Sequence, residues 1–216
     1  MFVGHYSVSL AGKKVASAVP LAVLFLAVQL LDIGWSILVL LGIEKVRIVP
    51  GITATNPLDL YYMPYTHSLI AALLWAGAAW LLYRWLKRRS SAREGAVVAG
   101  AVFSHWVLDF IVHRPDLPLY GNSVKVGLGL WNHAAIALAL EAALLFGGLA
   151  WYLRASRRRG RGFWIFALIM VAIQVYVFFG PPPTSPKAAA VTALIAYVAF
   201  AAVAGRLDRI SMVGAT

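Results

Sequence analysis

The sequence predicts an all-α integral membrane protein, a bundle of about six transmembrane helices with both termini cytoplasmic. Three observations carry that prediction. Hydrophobic residues make up 62% of the chain against 12% charged, with a mean hydropathy of +0.80, a balance that no water-soluble domain of this size holds without aggregating. The apolar residues lie in continuous runs rather than in the alternation of a β-barrel, and a helix satisfies its own backbone hydrogen bonds in lipid. Finally, the basic residues cluster in alternate loops, which sets the direction of every run.

The elements follow in order. Residues 5–14 read as a short helix that rises about 13 Å and lets the N-terminus dip back to mid-depth. Lys13 and Lys14 ahead of an apolar run imitate a signal peptide. The run is too long and lacks a small-residue cleavage pattern, so the segment is expected to be retained. Six runs long enough to cross a hydrocarbon core cover residues 20–43, 67–83, 95–113, 127–153, 163–180 and 188–205. Lys13, Lys14, Arg84, Lys87, Arg88, Arg89, Arg93, Arg154, Arg157, Arg158, Arg159, Arg161, Arg206 and Arg209 share one side, fourteen against five for Lys45, Arg47, Arg114, Lys125 and Lys187 on the other. That split places the loops 44–66, 114–126 and 181–187 outside. It also explains the net charge of +11 as loop anchoring rather than as a nucleic-acid surface. The Gly180–Pro183 run reads as a stiff turn, and Gly147 with Gly148 as a close helix contact.

Ionisable residues inside a bilayer cost several kcal/mol unless they pair, line a cavity or bind an ion. Asp32, His67, His105, Asp109, His113, His133 and Glu141 all lie in the first four spans, while the last two hold no Asp, Glu or His. Residues 1–155 are therefore expected to form the site-bearing bundle and 156–216 to add two structural helices. In SHWVLDFIVHRPDLPL, His105, Asp109 and His113 fall within about 80° of arc on one helix face. Pro115 stops the helix, and Asp116 emerges at its mouth. At 1.5 Å per residue His105 lies about 12 Å inside the outer end and Asp109 about 6 Å, depths that Asp32 and His67 can reach from their own spans. With no cysteine in the chain, a metal would have to be held by His, Asp or Glu. Neutral imidazoles and carboxylates suit one or two divalent ions, zinc above all, with a water activated on the metal.

At these residues the chain resembles the membrane-bound metal-dependent hydrolase family, the YdjM-like proteins, distantly similar to zinc-dependent phospholipase C. The resemblance covers about residues 1–155. It rests on His5 in GHYSVSLAGKK, Asp32 in LLDI, the triplet Thr66-His67-Ser68 and the HWVLD box holding His105 and Asp109. It implies metal ligation by those five residues, to which the stripe on the third span adds His113. Two positions depart from the family pattern: LDIG has one carboxylate where the family has two, and Ala137 stands where a glutamate would follow His133.

The expected function is hydrolysis of a phosphoester or similar bond, in a lipid or lipid-linked substrate, with Asp32, Asp59 or Asp109 assisting water attack. Arg114, Asp116 and His133 are candidate substrate contacts. His113, Arg114 and His133 also suit ordinary interfacial positions, the last beside Trp131. The alternative function is a proton- or metal-ion-coupled transporter, which the missing chemistry in the last two spans disfavours. The expected partners are membrane lipids and no nucleic acid, and the expected location is a prokaryotic cytoplasmic membrane.

Overall fold

The computed structural model describes residues 1–156 and 160–213; Arg157, Arg158 and Arg159 of the basic cluster lie outside them. Eight helices follow in order: α1 (Tyr6–Val15), α2 (Leu21–Val28), α3 (Leu30–Leu40), α4 (Leu69–Leu86), α5 (Ala92–Val112), α6 (Ala134–Ser156), α7 (Arg161–Phe179) and α8 (Pro186–Val213). Helices α4 to α8 are each long and apolar enough to cross a membrane, and α2 with α3, bent by 55°, makes a sixth candidate span. This architecture is compatible with an integral multi-pass protein.

The all-α expectation needs a correction, because two antiparallel hairpins occupy the connections at one end of the bundle. They are β1 (Lys45–Ile48) with β2 (Leu58–Tyr62), and β3 (Leu117–Tyr120) with β4 (Ser123–Val126). Outside the apolar runs there is enough polar sequence to pair backbone groups between strands. Gly51 at φ +81° and Gly121 at φ +50° supply left-handed residues between the paired strands. Register places Arg47 opposite Asp59. This end is called the hairpin end below, and the opposite one, which carries Lys87 to Arg89, the basic end.

Two spans depart from their expected bounds. The first breaks at Gln29 (φ −106°, ψ 8°), between α2 and α3. The fourth starts at Ala134 rather than at Gly127. Gly127, at φ +153°, presses its backbone so closely on the His113 and Arg114 carbonyls that a Cβ would lie 2.4 Å from each oxygen. Residues 127–133 therefore form a glycine turn and a 3-10 turn that wall the site instead of extending α6.

Helix α1 starts from a 3-10 turn at Val3–His5 in the middle of the bundle and runs to the basic end. Ser9 Oγ donates to the Leu24 carbonyl at 3.0 Å, and buried Lys13 reaches Asp208 Oδ2 of α8 at 3.0 Å. Lys13 thus has a partner within the bundle beyond its place in the charge bias. Glu141 of α6 accepts from Phe2 N at 2.8 Å and Gly4 N at 3.2 Å, so a buried carboxylate caps the turn that carries His5.

Of the glycine pair in α6, only Gly148 makes a close contact. A Cβ there would lie 2.9 Å from Ser7 Cα, whereas Gly147 meets nothing within 4 Å. Gly148→Ala is expected to destabilise the detergent-solubilised protein by about 1–3 kcal/mol through overpacking against α1. Gly147→Ala should be neutral or stabilising by up to about 1 kcal/mol from helix propensity. Thermal or denaturant unfolding of the two variants side by side checks this.

Candidate metal centre

Asp109, about 2% exposed on α5, is the hub of the site. Its Oδ2 lies 3.1 Å from His105 Nε2, 3.5 Å from His113 Nε2 and 3.8 Å from His67 Nε2. Its Oδ1 lies 3.2 Å from His5 Nε2 and also accepts from the Met1 amino group. Asp32 Oδ1 sits 3.3 Å from His67 Nε2 and 3.6 Å from His105 Nε2. Four chain segments meet here, and all four imidazoles are buried.

Local structure explains each placement. His105, Asp109 and the helix-capping His113 share one face at intervals of four residues. In the Thr66-His67-Ser68 triplet, Ser68 caps α4 by accepting from Ala71 N at 3.1 Å, which fixes His67 just before the first helical turn. Trp106 Nε1 donates to the His67 carbonyl at 3.0 Å. His5 stacks on His105, with ring centroids 3.9 Å apart and planes within 8°.

The outer ring nitrogens determine the inner ones. His105 Nδ1 lies 2.6 Å from the Val28 carbonyl at the break between α2 and α3; a carbonyl only accepts, so Nδ1 carries the hydrogen. His113 Nδ1 faces Asp116 Oδ1 at 2.8 Å. Thr66 Oγ1 donates to Glu44 Oε2 at 2.6 Å, so its oxygen is left to accept from His67 Nδ1 at 2.8 Å. With Nδ1 so engaged, the Nε2 atoms of these three imidazoles turn toward two carboxylates. Buried carboxylates demand positive charge, which protons on Nε2, the Met1 amino group or a bound cation can supply. His105 Nε2 has no hydrogen-bond partner, although it lies 3.1 Å from Asp109.

Among the described residues, two groups have ligand atoms that all lie within 4.8 Å of one another: His5 with His105 and Asp109, and Asp32 with His67 and His105. Each is a donor set able to hold a metal ion. An Nδ1–H on His105 leaves it a single Nε2 lone pair, so it serves one of these groups at a time. Asp109, with two oxygens facing different imidazoles, can serve both.

The remaining candidates stand further out. Asp59 is paired with Arg47 and Arg114 near the hairpin end and touches none of the imidazoles. Arg114 also donates through Nε to Asp116 Oδ2 at 3.1 Å, so its guanidinium is engaged by two carboxylates. Asp116 stands one step behind His113 as the acceptor that orients it. His133 is exposed at the start of α6 and has no place on the cavity wall.

Several functional residues gave no signal in the sequence. Glu44, only 1% exposed, accepts from Tyr65 N at 2.8 Å, Thr66 N at 3.0 Å and the Thr66 hydroxyl, so it orders the whole approach to His67. In the sequence it is one more loop charge beside Lys45. Tyr197 of α8 donates to Asp32 Oδ2 at 2.8 Å, and Gln174 of α7 accepts from Val3 N and donates to Glu141, each at 3.4 Å. The last two helices thus reach the site through uncharged groups.

No family model matches the chain, nor does any curated protein or solved structure.

Glu44→Ala is expected to strand three donors where Tyr65 and Thr66 meet the bundle, at about 1–3 kcal/mol for each one left unsatisfied. Glu44→Gln keeps an acceptor and should cost distinctly less. Denaturant unfolding of both variants measures the difference.

Proposed function

We propose that the chain is a membrane-embedded, metal-dependent hydrolase acting on a phosphoester or similar bond. In this reading His5, Asp32, His67, His105, Asp109 and His113 hold one or two divalent ions, with zinc the best fit to a nitrogen-and-oxygen donor set. The observation that carries the reading is the convergence of the Nε2 atoms of His67, His105 and His113 on Asp32 and Asp109, with the Nδ1 atom of each held from behind. Metal-ligating histidines need that arrangement. The resemblance of His5, LLDI, THS and HWVLD to the YdjM-like hydrolases points the same way.

A bound ion would lower the pKa of its water toward about 7 and polarise a phosphoryl oxygen. The chain's own groups do the rest. Tyr197 donates to Asp32 Oδ2 and so fixes the carboxylate with Oδ1 turned to the imidazoles, where it would hold the ion. Glu44 through Thr66, Asp116 and the Val28 carbonyl keep three rings from rotating. Asp59 serves as a member of the Arg47–Asp59–Arg114 ion cluster rather than as the base. The distribution of basic residues supports a cytoplasmic position for both termini, with the site opening outward at the hairpin end of a prokaryotic cytoplasmic membrane.

A proton- or metal-coupled transporter would need a path to the basic end as well. Beneath the site Tyr6 stacks on Phe25 at 4.6 Å between centroids, Phe25 on Phe166 at 6.3 Å, and Phe200 meets Phe166 at 5.6 Å. That aromatic layer from α1, α2, α7 and α8 favours one-sided access, as an enzyme needs.

Elemental analysis of purified protein should find about one or two zinc or similar ions per chain, lost in the His105→Ala/Asp109→Ala double variant while the helical circular dichroism persists. Hydrolysis of bis-p-nitrophenyl phosphate should fall with the metal. Thr66→Val, which cuts the link from Glu44 to His67, should weaken zinc affinity by about 10–100-fold. A metal-free, folded parent that conducts protons or metal ions in proteoliposomes would refute the hydrolase reading.

A further inference from the structure

A cavity of about 600 Å³ opens from the acid and imidazole cluster, and its longest wall is apolar. Asp32, His67, Asp109 and His113 line one end. From there it runs between α7 and α8 toward the proline turn at Pro181–Pro183. Its volume is in the range of sites that enclose a small organic ligand, about 300–1,000 Å³.

The wall owes its shape to how the last two helices pack. Helix α7 lies against α6, and α8 lies against α2 and α3, so these sequence neighbours touch each other little. On α8 most positions lining the gap are small: Ala189, Ala193 and Ala196 stand at i, i+4 and i+7 on one face, with Tyr197 beside Asp32 as the bulky exception. Ile173 and Val177 face them from α7. Val177 lines the cavity and is 50% exposed, so this stretch of the wall is not closed off by packing. A site that accepts only soluble esters would have no use for an apolar wall beside its carboxylates and imidazoles.

We infer that this groove between α7 and α8 binds the hydrocarbon chain of a phosphate-ester lipid, which enters sideways from the bilayer and places its phosphate at the Asp32–Asp109 cluster. The inference rests on the metal-site reading for the head of the substrate but has its own evidence for the tail. The apolar groove takes the chain, and the centre, once it holds its metal, would take the anionic head. The last two helices, bare of acids and histidines, then select for a tail rather than supply ligands.

The test uses the full chain in detergent, with zinc content measured on every sample. Dodecyl phosphate should bind at least about tenfold more tightly than methyl phosphate, since burying even a few methylenes is worth that much. Ala193→Trp and Ala196→Trp should abolish this preference while leaving methyl phosphate affinity and zinc content unchanged. As a check independent of those variants, an alkyl phosphate with a diazirine near the end of its chain should crosslink to α7 and α8 in the unaltered protein. Crosslinks to α7 and α8 that survive removal of the metal support the tail site even if the hydrolase reading fails. Equal binding of the two phosphates by zinc-loaded protein, or crosslinks confined to α4 and α5, would overturn the tail site and leave the metal centre standing.

Discussion

Everything at the centre of this bundle is arranged around one buried carboxylate. Asp109 lies on a helix inside an apolar protein, with about 2% of its surface exposed, and four imidazoles and the Met1 amino group close on it. A charge in such a place is tolerated only when opposite charge or hydrogen-bond donors surround it. His105, His67 and His113 are held from behind through Nδ1 by Val28, Thr66 and Asp116 and turn Nε2 toward the carboxylates, while His5 Nε2 and the Met1 amino group hydrogen-bond Asp109 Oδ1. The pattern makes electrostatic sense around positive charge, whether a proton or a cation.

That constraint explains features that would otherwise look like irregularities. The break at Gln29 leaves the Val28 carbonyl where His105 can use it, and it puts Asp32 in the first turn of α3. The N-terminal segment turns back into the bundle, capped by Glu141, so that His5 can stack on His105. The β1–β2 hairpin and the loop after it bring Glu44 behind Thr66, and the glycine turn at Gly127 and Gly129 delivers Trp131 against His113 at 4.3 Å between ring centroids. Each deviation from a straight helix adds a ligand, an orienting acceptor or a wall.

The roles of the two halves also become clearer in three dimensions. The first four spans supply charge, while α7 and α8 supply Gln174, Tyr197, an aromatic floor and an apolar wall. The polar cluster is thus closed below by Tyr6, Phe25, Phe166 and Phe200 and bordered along α7 and α8 by an apolar cavity wall.

Composition and run length were enough to predict a polytopic helical protein, because the cost of burying backbone in lipid leaves few alternatives. The four-residue spacing of His105, Asp109 and His113 likewise determined a shared face, since helix periodicity alone imposes it. Hairpins in the connections were not legible, as short polar segments of alternating residues carry little signal beside long apolar runs. Glu44 and Tyr197 were invisible for a different reason: a lone acid in a loop and a phenol in an apolar helix acquire meaning only from what packs against them. Which of the many buried acids and histidines meet was decided by tertiary structure. Asp59 and His133 have the same chemistry as Asp109 and His67, yet only distances across separate helices distinguish an ion pair with two arginines or an exposed ring from a member of the clustered donor set.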